Sequence, residues 1–108
     1  MAIEFKNGVL FDGGRRIGNI KNDVIFDGSS PGSGRRLGNL KNDVIFDGSS
    51  PGSGRRLGNV KNGVVKNGSS PGSGSTIGKV KDYSIKGADY MDDTAKVACY
   101  HFLVRKIF

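Results

Sequence analysis

Apolar residues in this chain come in short β-branched runs, each followed by a cluster of turn formers. Val24-Ile25-Phe26 and Val44-Ile45-Phe46 both precede Asp-Gly, and Val64-Val65 precedes Lys-Asn-Gly. Between these runs lies a second apolar segment, Leu37-Gly38-Asn39-Leu40 and its equivalents. Residues 24–43 read VIFDGSSPGSGRRLGNLKND, and residues 44–63 repeat them with two changes. Residues 64–83 form a degraded copy, VVKNGSSPGSGSTIGKVKDY, and residues 9–23 form a short one, VLFDGGRRIGNIKND. The short copy lacks Ser-Ser-Pro-Gly-Ser, so those five residues belong on an exposed loop and the 15-residue remainder is the structural unit.

Each unit holds two strand-like segments and two reversals. Asn22-Asp23, Asn42-Asp43 and Asn62-Gly63 follow a lysine and precede a β-branched run. Asn-Gly in that setting signals a type I′ hairpin turn, because both central residues need positive φ, and Asn-Asp is a weaker form of it. A two-residue turn at Asn42-Asp43 puts Lys41 opposite Val44, Leu40 opposite Ile45 and Asn39 opposite Phe46. The second reversal is the Asp-Gly loop. The prediction is therefore a mainly β protein, an antiparallel meander of eight to ten short strands built from 15–20-residue hairpin repeats. The alternative is a β-solenoid with one coil per unit; the meander absorbs a five-residue deletion more readily. In Arg36-Leu37-Gly38-Asn39-Leu40 the apolar positions fall three apart, which breaks the alternation of a strand. Gly18, Gly38, Gly58 and Gly78 sit in that gap, where glycine marks a bulge or a close backbone approach.

Organisation follows: residues 1–88 form the repeat array (copies 9–23, 24–43, 44–63 and 64–83) and residues 89–108 a capping segment. From Ala88 to Lys96 there is no Gly or Pro; acids come first and Arg105 and Lys106 last, in keeping with a helix macrodipole and with Asp89 as N-cap. Met91, Ala95, Ala98, Cys99 and Phe102 share one face at helical spacing. The segment is read as a helix, with a closing strand over 95–108 as the alternative. A repeat array needs such a cap to cover its terminal apolar face.

Composition narrows the picture. The 108 residues suit one domain. Val plus Ile number 17 against 5 Leu, which favours sheet. One Cys and one His exclude an internal disulfide framework and argue against a protein-only zinc centre. The amino-terminal stretch has no secretory pattern and no apolar run spans a bilayer. With the lone Cys99 this points to a reducing, cytoplasmic setting.

Charge is uneven. Residues 1–81 hold 13 Lys and Arg against 6 acids, which accounts for the whole net charge of +7; residues 82–108 hold 4 against 4. Arg15-Arg16, Arg35-Arg36 and Arg55-Arg56 recur at equivalent positions, as do Lys21, Lys41, Lys61 and Lys81, so stacked hairpins line them up in rows that attract polyanions such as nucleic acid. Asp12, Asp27 and Asp47 recur nearby, and cross-strand pairing would engage part of the arginine row. The last copy has Ser75-Thr76 in place of the arginines, and Phe11, Phe26 and Phe46 read as core. The loops lack the lysine of a P-loop, and Gly32-x-Gly34-x-x-x-Gly38 is one residue too long for a dinucleotide fingerprint. Cys99 and His101 form no dyad on a helix, where residues two apart diverge. No enzyme, cofactor or metal is expected.

The GNIKND-VIFDG wording resembles glycine-rich bacterial hairpin-repeat proteins of unassigned function, over about Gly8 to Ala88. That resemblance implies a β-hairpin array and transfers no site residues. The rhythm is also similar to MORN repeats, but their recurrent Tyr and Trp are missing here. The expected function is a non-enzymatic structural or protein-interaction module, associating with a protein or with itself through a sheet edge or the cluster Phe102, Leu103, Ile107 and Phe108. The alternative is polyanion binding, to nucleic acid or acidic polysaccharide, through the Arg and Lys rows.

Overall fold

A computed structural model describes residues 3–108. The first two residues of the predicted array lie outside that range. Nine strands form one antiparallel sheet in sequential order: β1 (Ile3–Lys6), β2 (Val9–Asp12), β3 (Arg15–Lys21), β4 (Val24–Phe26), β5 (Arg36–Lys41), β6 (Val44–Phe46), β7 (Arg56–Lys61), β8 (Val64–Lys66) and β9 (Thr76–Lys79). Every chain-consecutive pair is antiparallel, which makes this a meander and excludes the solenoid. The register at the central hairpin is as the turn chemistry demands, Lys41 opposite Val44, Leu40 opposite Ile45 and Asn39 opposite Phe46. Asn42 and Asp43 have φ of 52° and 67°, and Asn22-Asp23, Asn62-Gly63 and Asn7-Gly8 are likewise both positive, as a type I′ turn requires. The Asn7-Gly8 hairpin makes β1 an additional strand ahead of the first recognised copy; Lys6-Asn7-Gly8 carried its signal.

The broken alternation is a bulge. Ile25 faces Gly38 but Phe26 faces Arg36, so Leu37 is the extra residue; the same shift occurs at Phe11, Phe46 and Lys66. Leu37 and Gly38 thus both turn to one side of the sheet, while Arg36, Asn39 and Lys41 occupy the other. Bulges bend and twist the strands that carry them, and four in series curl this sheet. Chain geometry shows how far. Seven residues from Lys79 to Lys86 reach at most ~25 Å, whereas the outer strands of a flat nine-stranded sheet lie ~38 Å apart. The chain nevertheless crosses from β9 to β1: the Phe5 amide donates to the Lys86 carbonyl at 2.7 Å, and Glu4 and Lys86 form a parallel bridge. The sheet is a trough-like half-shell, not a closed barrel.

The concave side holds the core. Leu10, Ile25, Ile45 and Val65 form a fully buried column along successive repeats, facing Val97, Ala98 and Cys99 of helix α1 (Asp93–Cys99). Side chains of this size contribute about 2 kcal/mol each when buried. Beside the column runs the glycine row, and its purpose is to seat the cap. A Cβ on Gly18 would collide with Leu103, on Gly38 with the Phe102 ring, on Gly58 with the Phe108 ring and on Gly78 with the Tyr83 hydroxyl. The four glycines therefore set the register and also open sockets for Leu103, Phe102, Phe108 and Tyr83. The predicted association cluster is accordingly engaged within the chain: Phe102, Leu103, Ile107 and Phe108 are half-buried against the sheet.

The capping segment is helical, but it starts later than its acidic run suggested. Asp92, not Asp89, is the N-cap, its carboxylate accepting from the Ala95 amide at 2.9 Å. Residues 85–91 form turns instead, with the Ala88 amide bonded to the Ile85 carbonyl and the Met91 amide to that of Ala88. After Cys99 the helix widens into a π-turn, Tyr100–Val104, and Arg105 returns to extended backbone.

The convex side is covered by the Ser-Ser-Pro-Gly-Ser loops, which fold back over the sheet. Each is pinned by an asparagine with no solvent exposure, Asn19, Asn39 or Asn59. Asn39 donates through Nδ2 to the Gly48 and Ser53 carbonyls at 3.0 and 3.1 Å, and its Oδ1 accepts from the Gly52 amide at 2.8 Å. Where the loop is missing, at Gly13-Gly14, the equivalent position opposite Phe11 is Glu4. Loop and anchor vary together.

Two outcomes test this construction. Deleting residues 49–53 leaves Asp-Gly-Gly-Arg, the junction that Asp12–Arg15 already uses, so the shortened chain should fold with an intact hairpin signature in NMR spectra. In the full-length protein Asn39→Ala should cost about 2 kcal/mol in urea unfolding, since it strands buried backbone groups; in the deletion variant the same change should be near neutral. Gly38→Ala should cost about 1–3 kcal/mol by overpacking the Phe102 socket, and a neutral result would refute the seating role.

Candidate functional site

The predicted arginine row divides in two. Arg35 and Arg55 lie at the loop ends, 3.2 Å from Asp27 and 3.5 Å from Asp47, with most of each guanidinium in water. Such pairs contribute little energy; the firmer link is from the Arg35 and Arg55 amides to the same aspartates, at 2.6 Å. Arg15 stands at the loopless Gly13-Gly14 turn, opposite Asp12. The second arginine of each pair behaves differently. The guanidinium carbons of Arg16, Arg36 and Arg56 sit 5.4, 5.6 and 5.5 Å above the rings of Phe11, Phe26 and Phe46. Each also donates from Nη1 to a carbonyl of the neighbouring loop, Ser29, Ser49 or Ser69. Stacking and hydrogen bonding fix these cations in place without neutralising them.

Lys21, Lys41 and Lys61 occupy the turn end of the convex face, each opposite the first residue of the next strand. Lys6 holds the equivalent place opposite Val9 and extends the row; sequence comparison missed it because it precedes the first recognised copy. Lys81 leaves the row. It falls in a 3₁₀ turn, Val80–Tyr83, after β9 has ended at Lys79, so matching spacing does not put it on the sheet. Among the described residues Lys6, Lys21, Lys41 and Lys61 make no ion pair within 4.0 Å.

Loops and cations together shape repeated clefts. Between two successive loops the intervening strand lies at the bottom of a trough. Along β4 the floor is Val24 and Phe26, the walls are Gly32 and Pro51, and Lys21 and Arg36 close the two ends. Along β6 the same positions are Val44 and Phe46, Gly52 and Pro71, Lys41 and Arg56. The lysine stems run against the glycines: a Cβ on Gly32 would lie 3.1 Å from the Lys21 Cδ, and on Gly52 3.0 Å from that of Lys41. The outer repeats depart from the pattern. The β2 trough has no loop on one side and brings Glu4 beside Lys6. At β8, Phe becomes Lys66 and its arginine becomes Thr76, so the stacked pair is lost as a unit. Asp-Arg is likewise replaced by Asn67-Ser75, with the Asn67 side-chain Oδ1 still accepting from the Ser75 amide at 2.8 Å.

Cys99 and His101 are placed away from any such cleft chemistry. Cys99 is wholly buried, and burial pushes its thiol far above the usual range. His101 Nδ1 accepts from the Ile107 amide at 2.9 Å and from that of Phe108 at 3.4 Å, holding the terminal residues beside the sheet. Burial, aided by the nearby Lys106 charge, lowers its pKa to about 4. Among the described residues no three His, Cys, Asp or Glu side chains gather as metal ligands. No described helix is long and apolar enough to cross a membrane. Comparison with protein-family models, with curated proteins and with solved structures finds no match to this chain.

The histidine gives a pH prediction. Its folded pKa lies below the ordinary value of about 6.5, so the unfolded chain binds the proton more readily between the two values. The contribution to stability is full above pH 6.5 and is lost as pH falls toward 4. Urea midpoints measured from pH 7.5 to 4 should decline with that dependence, and His101→Gln should flatten the decline. A thiol reagent should label Cys99 only on the timescale of unfolding.

Proposed function

We propose that this protein is a non-enzymatic binding module in which the capped half-shell is a scaffold and the convex, loop-bearing face takes polyanions. One observation carries the reading: Lys6, Lys21, Lys41 and Lys61 form a row that makes no ion pair within 4.0 Å among the described residues, with Arg16, Arg36 and Arg56 held beside it on aromatic rings. Charges aligned on one face attract an oppositely charged polymer and hold it with strong salt dependence. The environments of Cys99 and His101 argue against nucleophilic chemistry, and a buried thiol suits a reducing compartment.

Self-association is the second reading, favoured by one feature. Among the described residues β9 has no strand beyond it; the Ile77 carbonyl accepts from the Tyr83 hydroxyl and the Lys79 amide donates to Asp82, so only the rest of that edge is available for pairing with another chain. Sedimentation across a wide concentration range separates a monomer from an edge-paired dimer.

Polyanion binding is tested by fluorescence anisotropy of labelled DNA, RNA and heparin, titrated from low to physiological salt. Replacing Lys21, Lys41 and Lys61 together by Gln should reduce the log–log salt slope for duplex DNA by about 3 and leave the melting temperature unchanged. An unaltered slope would remove the lysine row from the interface.

A further inference from the structure

The proposal that follows rests on polyanion binding by the convex face and specifies the polymer. We infer that the paired-cation troughs along β4 and β6 are consecutive subsites for the pendant acidic groups of an acidic polysaccharide. Each trough is bounded by a lysine and an arginine from the strands on either side, Lys21 and Arg36 in one and Lys41 and Arg56 in the next. Arg36 uses one of its five N–H donors on the Ser49 carbonyl, which leaves others to meet a carboxylate or sulfate in a fixed orientation. An anion entering from above therefore finds preorganised charge at one end and a mobile ammonium at the other.

Spacing selects the polymer. The two troughs are two strands apart, about 9.5 Å at the backbone and wider at the side-chain tips because the sheet curls away from this face, and a loop ridge anchored by Asn39 stands between them. A ligand occupying both must lie across the ridges and let acidic groups hang down at that interval. Extended polysaccharides with one carboxylate per two sugars have that design, the charge projecting from the ring and recurring once per disaccharide. Nucleic acid has the opposite one. Its charges are more closely spaced along the backbone, and its pendant groups are bases that want open aromatic platforms. The trough phenylalanines are unsuitable for stacking, because Phe26 and Phe46 are only 6% and 4% exposed and lie beneath arginines.

Isothermal titration at about 150 mM salt compares three probes of equal charge number: hyaluronan oligosaccharides with a carboxylate on every second sugar, oligogalacturonate with one on every sugar, and oligo-dT. The hyaluronan probe should bind roughly tenfold or more tighter than either of the others, as two linked contacts allow. Lys21→Gln with Lys41→Gln should abolish that preference, whereas Lys81→Gln with Lys86→Gln, an equal loss of charge elsewhere, should preserve it. Deleting residues 49–53, with folding verified by NMR, should erase the preference by removing the ridge. If oligo-dT or oligogalacturonate binds as tightly as hyaluronan, the spacing inference is overturned while polyanion binding stands. If none of the three binds even at low salt, polyanion binding itself fails.

Discussion

A single extra residue in every second strand organises this molecule. The bulge at Ile17, Leu37, Leu57 and Ile77 slips the register by one, so that the second arginine of each pair, not the apolar residue after it, stands opposite phenylalanine. On one side that slip creates the guanidinium–ring stack. On the other it turns the bulged residue inward beside the glycine, and the gap over the glycine receives Leu103, Phe102, Phe108 or Tyr83. Repeated bending at the same place in each hairpin curls the sheet around α1 and brings its two ends within reach of a short connection. Without the bulge, strict alternation would keep each glycine inward but send the arginine to the concave side and the apolar residue after it to the convex side, so the guanidinium–ring stack and the arginine's loop contact would be lost.

The repeats show which residues act together because imperfect copies change in groups. Glu4 replaces the anchoring asparagine where there is no loop to anchor. Lys66 and Thr76 replace a phenylalanine and the arginine stacked on it, and Asn67 with Ser75 replaces a charged pair while retaining the backbone contact. Each substitution leaves no buried polar atom without a partner among the described residues. Physical coupling within the fold explains these joint changes: a buried amide without its loop would lose its compensation for leaving water, and an arginine without its ring would lose the surface it stacks on.

Much of the fold was legible in the sequence because its signals are local. Type I′ turns declare themselves through Asn-Gly and Asn-Asp, and a turn of fixed length dictates register, so the pairing of Lys41 through Asn39 with Val44 through Phe46 followed directly. The glycine gap identified the bulge for the same reason. Tertiary choices were less accessible. The acidic run pointed to Asp89 as the cap, whereas the chain packs Ile85 and Ala88 near β1 first and the helix is capped only at Asp92. The asparagines gave no sign that they hold loops, since their partners lie 9 and 14 residues away. Lys81 kept the sequence spacing of the lysine row, but the chain turns into a 3₁₀ helix one residue earlier, at Val80. The paired-cation troughs, too, need three strands and two loops to exist, and periodicity alone aligns residues without showing what stands between them.

The glycine sockets have a consequence for how such an array can evolve. Near-identical tandem copies ordinarily gain and lose units by recombination, and a simple solenoid would tolerate either. Here Leu103, Phe102, Phe108 and Tyr83 fill the sockets of Gly18, Gly38, Gly58 and Gly78 one for one. An inserted unit would present a socket with nothing to enter it, and a lost unit would leave an apolar side chain without its seat. Leu103, Phe102 and Phe108 of the carboxy-terminal segment, with Tyr83 of the last copy filling the fourth socket, therefore count the repeats, holding copy number constant in a sequence whose own redundancy would otherwise let it drift.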